Sequence, residues 1–252
     1  MTRDLVKLGS DTAKNGFKNE DTVLKKFNNW KTDVDSQNWL KLMGYSLNKI
    51  KKVDAIKLHG FKTDVQIKIT IYLKDVIHAE NMSIKLVSNP KGFNQIDKRW
   101  VDKYAELWDM PHEIVTILKL FTGEIKSKKI GLKDERRMFL SEMDLKDTTN
   151  LIDFFKKKKI LIVADILKGR GMLSAGWMLV ALKDSKLICN WTIQSMNHVM
   201  NYFGNGDVVI TPRGSLQIGK ITMQRKGGDG GRKTANMLQF KINPAELFPN
   251  NI

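Results

Sequence analysis

The chain has few of the residues that cross-link a protein or anchor it in a membrane. Cys189 is the single cysteine among 252 residues, so no disulfide forms within the chain, and we expect a reducing, cytoplasmic location. The longest apolar run, Ile160 to Leu167, contains Asp165 and is far shorter than the about 20 residues of a membrane span. The four histidines lack the spacing of a zinc site. These absences argue against a disulfide-stabilised domain, a membrane-spanning protein and a zinc protein.

Acidic residues are also scarce. The sequence has 27 Asp and Glu against 43 Lys and Arg, a formal net charge of +16. Such a charge favours a polyanionic partner; nucleic acid is the first candidate and an anionic membrane surface the second. No linker-like boundary interrupts the chain, so we expect a single domain over residues 1–252, as a monomer or homodimer.

The stretch from residue 60 to 86 organises the rest of the sequence. Apolar residues alternate with polar ones from Asp64 to Leu73 and again from Met82 to Leu86, a period of two that is typical of β-strands. Few residues separate the two runs, which predicts an antiparallel hairpin joined around Asp75 to Glu80. Asp64 and Lys85 then lie on the polar faces of adjacent strands, at one end of the sheet.

An aspartate and a lysine in this arrangement are typical of a hydrolytic site. A carboxylate can hold a divalent metal ion, and a nearby lysine can orient or polarise an attacking water molecule. The alternative is a hairpin with a solvated polar face and no catalytic function.

A second basic feature is the glycine-rich loop K-G-G-D-G-G-R-K at residues 226–233. It fits neither a Walker loop nor a dinucleotide fingerprint. From Arg213 to Lys241 there are seven basic residues and one acid, Asp229. A flexible basic loop between two strands could follow a phosphate backbone, so we favour DNA or RNA binding over a merely solvated hairpin.

The remaining patterns predict a mixture of helices and strands. Residues 19–31 have helical spacing, with Glu20 in the first turn, where an acid also suits the helix dipole. We expect helices beginning near Ile96 and covering residues 46–53 and 136–142. Ile160 to Leu167 is interpreted as a buried strand, and the second half as mostly strand.

Several motifs together resemble a known family. T-D-x(18)-S-x-K (63–85) and L-V-S-N-P-K-G-F-N-Q-I-D-K-R-W (86–100) are similar to the active-site and recognition regions of a small type II restriction endonuclease that cuts within GCGC. The similarity continues in G-F-K-N-E (16–20), R-R-M-F (136–139), D-I-L-K-G-R-G (165–171) and P-R-G-S (212–215), and is strongest over 224–248. This family belongs to the PD-(D/E)XK nuclease superfamily.

The resemblance implies an α/β (α+β) restriction-endonuclease-like fold, with a mixed central sheet flanked by helices. It implies a Mg²⁺-dependent type II enzyme of a restriction-modification system that cuts double-stranded DNA. The site would be a short GC-containing palindrome (GCGC-like or GC-N-GC-like), and the products would carry 5′-phosphate and 3′-hydroxyl ends. A catalytically weak or inactive DNA-binding protein and a structure-specific repair nuclease remain alternatives.

The resemblance also assigns roles to individual residues of the catalytic hairpin, about 60–87. Asp64 matches the metal-binding aspartate, and Lys85 the catalytic lysine. Thr63 matches the small hydroxyl residue before the aspartate. Ser83 stands where most members carry a second acid, and a neutral hydroxyl is a poor ligand for Mg²⁺. Glu20 and Ile84 complete the implied metal site.

Two further segments, about 88–100 and 212–242, match the DNA-reading parts of the family. Phe93 matches a residue that wedges between bases, and Gln95 and Gln239 are expected to read base edges, since an amide both donates and accepts hydrogen bonds. The other expected DNA contacts are Asn94, Lys98, Arg213, Arg225, Lys226, Arg232, Lys233, Asn236 and Lys241.

Overall fold

The computed structural model describes residues 18–58, 67–183, 189–228 and 231–249. Within these ranges the chain forms seven α-helices and ten β-strands. The helices are α1 (18–28), α2 (Val34–Leu42), α3 (Val101–Trp108), α4 (His112–Thr122), α5 (Leu145–Lys157), α6 (Lys159–Lys168) and α7 (Met196–Gly204). The strands are β1 (Lys52–Lys57), β2 (Ile67–Tyr72), β3 (Ile77–Val87), β4 (Asn94–Arg99), β5 (Trp177–Lys183), β6 (Cys189–Ser195), β7 (Val208–Ile210), β8 (Leu216–Ile218), β9 (Ile221–Arg225) and β10 (Leu238–Ile242).

The chain divides into two compact units. Unit 1 comprises Met1–Asn94, Leu167–Val199 and Asn243–Ile252, and unit 2 comprises Gln95–Ile166 and Met200–Ile242. The prediction of a single domain stays a prediction.

Unit 1 is built on a five-stranded mixed sheet in the order β1-β2-β3-β5-β6. Only the β3–β5 pair in this sheet, as far as it is described, is parallel. Alternate residues of the central strands face one hydrophobic core, since a strand points successive side chains to opposite faces. Ile67, Ile69 and Ile71 are fully buried there, with Phe27 of α1 and Trp39 of α2 in the same cluster.

The predicted hairpin is confirmed, with a different turn. β2 and β3 pair antiparallel from Ile67↔Met82 to Tyr72↔Ile77, and the Leu73 amide donates to the Val76 carbonyl at 2.9 Å. The connection is therefore Leu73–Val76 and shorter than expected. The first residues of β3 are exposed or half-buried, so they lack the alternation of buried and polar residues that predicts a strand.

Unit 2 contains the second sheet, in the order β4-β10-β9-β8-β7. An aromatic cluster fills its core, where Trp108 stacks on Tyr104 at a centroid distance of 4.5 Å and meets Phe240 at 5.7 Å. Aromatic contacts of this kind stabilise a core beyond simple area burial.

Some expected elements are wrong. Ile160 to Leu167 lies in helix α6, because its buried residues recur at helical spacing while Ile160 and Leu161 are exposed. Short apolar runs do not separate a buried helix from a buried strand. Residues 94–99 form β4 rather than a helix start. Residues 46–53 contain a single 3₁₀ turn followed by the start of β1, and residues 136–142 contain a single 3₁₀ turn.

The mixed α/β class is confirmed. No helix in the described part of the chain is long and apolar enough to cross a membrane.

Candidate active site

Lys85 and Ser83 lie on the same face of β3, in the middle of the unit 1 sheet. Met82 and Ile84 belong to the hydrophobic core, so strand alternation directs Ser83 and Lys85 to the opposite face. Lys85 is only 8% exposed and Ser83 is fully buried. The alternative of a solvated hairpin face is therefore wrong at this end of β3. Lysine is almost never buried to this extent without a partner or a function.

The Ser83 hydroxyl has an unusual environment. Its oxygen is buried and forms no hydrogen bond to any described residue. Leaving a buried hydroxyl without a hydrogen bond costs about 1–3 kcal/mol. An orphaned polar atom at the position expected for a second acid is consistent with a place where a water molecule or ion belongs.

Asp64 and Thr63 lie outside the described residues. In the sequence, Asp64 stands three residues before Ile67 and Lys85 three residues after Met82. Ile67 and Met82 are direct partners in the β2–β3 register. Asp64 and Lys85 are therefore each three residues away, along the sequence, from one member of the paired residues Ile67 and Met82.

Glu20 is placed in an ion pair. Its Oε2 lies 3.0 Å from Lys57 Nζ, and its side chain is 13% exposed. Lys57 also reaches Asp21 Oδ1 at 3.2 Å, so the pairs join α1 to the end of β1. Glu20 therefore has a structural partner independent of any metal.

The described residues contain no cluster of three His, Cys, Asp or Glu side chains that could hold a metal ion. The expected ligands, the Asp64 and Glu20 carboxylates and the Ile84 carbonyl, are all oxygen donors. Oxygen donors are the ligands of a hard cation such as Mg²⁺, so the chemistry of the donor set fits the metal.

The loop after β3 is ordered by its own hydrogen bonds. Asn89 accepts from the Gly92 amide through its carbonyl (2.8 Å) and from the Lys91 amide through its side chain (3.0 Å). Asn94 Nδ2 donates to the Leu86 carbonyl at 2.8 Å. At the end of this turn Phe93 is 53% exposed, a position from which an aromatic ring can be presented to a ligand.

Strand β4 carries Gln95 and Lys98, both exposed. The same strand contains a buried ionic network that sequence reasoning missed. Arg99 contacts Asp97 Oδ2 at 3.1 Å and Asp165 Oδ2 at 2.9 Å, and Asp165 also accepts from Trp108 Nε1 at 2.8 Å. Burial, reinforced by the charge of Asp165, raises the pKa of Asp97 to about 6, although Arg99 and the Tyr104 hydroxyl favour its ionised form.

The expected DNA contacts of the second half differ in exposure. Arg213, Arg232 and Lys233 are exposed, while Lys226 and Lys241 are half-buried. Burial lowers the pKa of Lys241. The role of the exposed residues as phosphate contacts stays a prediction.

The structure contradicts an exposed reading position for Gln239. This side chain is 3% exposed, and its Nε2 donates to the Arg225 and Lys226 carbonyls at 3.3 and 3.4 Å. Both ends of the Asn236 amide are also engaged, with Arg225 and with the Gly123 carbonyl. The Gln239 amide, on β10, binds the end of β9, and the Asn236 amide, in the 3₁₀ turn Lys233–Asn236, joins Arg225 to the residue that ends α4.

Comparison with solved structures identifies the fold. A crystal structure of restriction endonuclease MspI in complex with its cognate DNA matches 94% of this chain and 92% of its own, with 14% identity and a TM-score of 0.65. At that identity the match shows a shared restriction-endonuclease fold. No curated protein matches the chain.

The family model for "R.HinP1I restriction endonuclease" matches residues 43–248. Because the match covers most of the sequence, the chain belongs to the R.HinP1I restriction endonuclease family. It is a type II site-specific endonuclease.

Proposed function

We propose that this protein is a Mg²⁺-dependent enzyme that hydrolyses phosphodiester bonds of double-stranded DNA at a short GC-containing palindrome, GCGC-like or GC-N-GC-like, leaving 5′-phosphate and 3′-hydroxyl ends. The observation that carries the proposal is Lys85, buried on β3 beside the orphaned Ser83 hydroxyl. The family membership supplies the reaction class. A cytoplasmic location belongs to the same proposal.

The residues of β3 supply the chemistry of the chain itself. Lys85 would donate a hydrogen bond to the attacking water and favour the negative charge that develops on the phosphate. Asp64, the Ile84 carbonyl and Glu20 would hold Mg²⁺, which when bound stabilises that developing charge as a Lewis acid. Ser83 contributes no charge, so Asp64 is the only acid of the strand motif.

DNA recognition divides between two kinds of contact. Phe93 is exposed at the end of an ordered turn and would insert between base pairs, which costs a few kcal/mol of unstacking and bends the duplex. Gln95 is exposed on β4 and would read a base edge. Arg213, Arg232 and Lys233 would contact phosphates, which adds affinity without sequence information.

Digestion of a plasmid in the presence of Mg²⁺ tests the proposal. Discrete fragments with GC-containing ends are expected. Nicks or a smear at unusual DNA structures would indicate a repair nuclease instead. Binding without any cutting would indicate an inactive DNA-binding protein, the alternative that the neutral Ser83 favours.

The separation of readers from phosphate contacts gives a second test. Gln95→Ala should cost about 1–3 kcal/mol of binding on the cleaved sequence alone. Lys233→Ala should weaken cleaved and scrambled duplexes alike and reduce the salt slope by about 1. Salt titrations of both variants on both duplexes measure the difference. Equal proportional losses on the two duplexes would refute the division.

A further inference from the structure

Unit 2 brings three arginines together from two distant parts of the sequence. Arg136 and Arg137 follow a loop after α4, and Arg225 ends β9. Gly123 lies between them, because a Cβ at Gly123 would meet the Arg136 carbonyl and lie 3.5 Å from Arg137 Cβ, and its carbonyl accepts from Asn236, which accepts from Arg225. We call Arg136, Arg137 and Arg225 the arginine cluster.

Aromatic rings hold Arg137 in place. Its guanidinium carbon lies 4.0 Å from the centroid of the Phe139 ring and 5.6 Å from that of Phe121. Its Nε lies 3.6 Å from Asp134 Oδ2, beyond hydrogen-bond distance. The side chain is 17% exposed, so its orientation is fixed while one edge still reaches solvent.

Arg225 is held by an amide relay. Its Nη2 donates to Asn236 Oδ1 at 2.7 Å, and Asn236 Nδ2 donates to the Gly123 carbonyl at 3.0 Å. Gly123 ends helix α4 with φ +81°, and a Cβ there would meet the Arg136 carbonyl oxygen. Gly123 therefore packs against the backbone of Arg136 and, through Asn236, helps to hold Arg225.

The cluster has hydrogen-bond donors that the chain leaves unused. The Nε atoms of Arg137 and Arg225 are both buried, and neither has an acceptor among the described residues. A buried donor without an acceptor costs about 1–3 kcal/mol, and more when it is charged. Two such donors in neighbouring guanidinium groups are unusual for a structural role alone.

The charge of the cluster is also unbalanced. Burial lowers the pKa of Arg137, and the charge of Arg225 lowers it further, while Asp134 and Glu142 act in the opposite direction. Burial and the charge of Arg136 lower the pKa of Arg225. Asp134 is already bound at both oxygens by Arg136, at 2.8 and 3.0 Å. A phosphate anion at the partly exposed edges of these guanidinium groups would offset their mutual repulsion.

We propose that Arg137 and Arg225 form a binding seat for a backbone phosphate of DNA. The planar guanidinium presents a fork of donors that matches phosphate geometry. The inference deepens the proposed function and rests on it, since it names a contact that the endonuclease uses to hold its substrate. The inference adds Arg137 to the expected DNA contacts and proposes that Arg137 and Arg225 bind the same phosphate.

Four variants test the seat: Arg137→Gln, Arg225→Gln, Arg137→Lys and, as a control, Lys157→Gln. Lys157 is exposed near the end of α5, and its variant removes one charge without touching the cluster. The probes are a short labelled duplex containing GCGC and a scrambled duplex, bound in Ca²⁺ over a salt series.

Each Arg→Gln variant should bind both duplexes about 10-fold more weakly, with a salt slope smaller by about 1. Without DNA its thermal midpoint should change little, because removing a buried, repelled charge offsets the loss of the ring contacts of Arg137 or of the Arg225–Asn236 hydrogen bond. Arg137→Lys keeps the charge but loses the fork, so it should keep the salt slope and recover only part of the affinity. Lys157→Gln should stay within about 2-fold of wild type.

Several results would overturn the seat. If wild type binds duplex DNA and both Arg→Gln variants bind it equally well, only this inference fails; if wild type binds no duplex, the proposed function itself fails. A midpoint raised by inorganic phosphate in wild type but not in the variants, with DNA affinity unchanged, would assign the seat to free phosphate. Asp229, which lies outside the described residues, gives a further test. If Asp229→Asn lowers the thermal midpoint of wild type but not of Arg225→Gln, the anion that balances the arginine cluster is Asp229 and not a DNA phosphate.

Discussion

At the scale of single residues, the face of β3 that carries Lys85 combines a buried cation with a buried, neutral hydroxyl at Ser83. A site that holds Mg²⁺ needs anionic oxygen around it, counting the substrate phosphate. Because Ser83 supplies none, the proposed metal site depends on the carboxylates of Asp64 and Glu20. Glu20, however, is already paired with Lys57, so its role in metal binding has a direct structural competitor.

Three variants separate those roles. We expect Glu20→Gln to raise the Mg²⁺ concentration for half-maximal cleavage about 10-fold or more, and Ser83→Ala to change it less. Lys57→Gln breaks the same ion pair without removing an oxygen donor and serves as the control. If Lys57→Gln shifts the Mg²⁺ titration as far as Glu20→Gln, the glutamate acts by positioning α1.

Asp97 gives the molecule a pH-dependent stability. Its pKa is raised to about 6, mainly by burial, against an ordinary value near 3.8. The folded protein therefore holds this proton more tightly than the unfolded chain. The contribution of Asp97 to stability is fully present below about pH 4 and is lost as the pH rises through about 6.

Asp97→Asn should expose this effect. The asparagine variant should gain stability relative to wild type as the pH rises from 4 to 7, by at most about 3 kcal/mol, since one pKa unit corresponds to about 1.36 kcal/mol. Urea unfolding across that pH range measures the difference. A difference between Asp97→Asn and wild type that does not change from pH 4 to pH 7 would contradict the prediction.

At the scale of elements, patterns of alternation were the dependable signal and short apolar runs were not. The β2–β3 hairpin followed from alternation, and with it the placement of Lys85 and Ser83 on one face. Asp165 explains the failure over residues 160–167. The short apolar run was interpreted as a buried strand, whereas Asp165 is a helical residue whose buried carboxylate binds Arg99 and Trp108.

The inward direction of Gln239 and the stacking of Arg137 were beyond sequence reasoning for a different reason. Both depend on contacts with residues distant in the sequence, with the end of β9 for Gln239 and with Phe121 of α4 for Arg137. The motif R-R-M-F was visible as part of the family resemblance, but nothing local distinguishes its buried arginine from its exposed one.

A substitution at Gly123, the residue that ends α4, tests how the arginine cluster is supported. Gly123→Ala places a Cβ against the Arg136 carbonyl at positive φ, so we expect a loss of about 2–4 kcal/mol in the free energy of unfolding. DNA affinity should fall as it does for Arg225→Gln. Chemical denaturation and the duplex-binding assay measure the two effects.

Gly131→Ala is the matched control, because Gly131 has φ +79° but no atom within 4 Å of the added Cβ. It should cost only about 1 kcal/mol, the penalty of the backbone conformation. Equal losses at the two glycines would show that close packing against Arg136 is unimportant.

At the scale of the whole molecule, a net charge of +16 favours binding to a polyanion, and the restriction-endonuclease fold agrees with such a partner. The proposed catalytic residues belong to unit 1, and most of the proposed phosphate contacts to unit 2. We therefore expect variants in the first group to change cleavage with little effect on binding, and variants in the second group to change binding.

The most direct test is single-turnover cleavage of a plasmid in Mg²⁺ by wild type, Asp64→Ala and Lys85→Ala, with binding of a GCGC duplex followed in Ca²⁺. Lys74→Ala, an exposed lysine in the β2–β3 turn, is the control. We predict that Asp64→Ala and Lys85→Ala abolish cleavage while specific binding stays largely intact, and that Lys74→Ala cuts at the wild-type rate. Cleavage by Lys85→Ala at a rate near that of wild type would contradict the assignment of the active site.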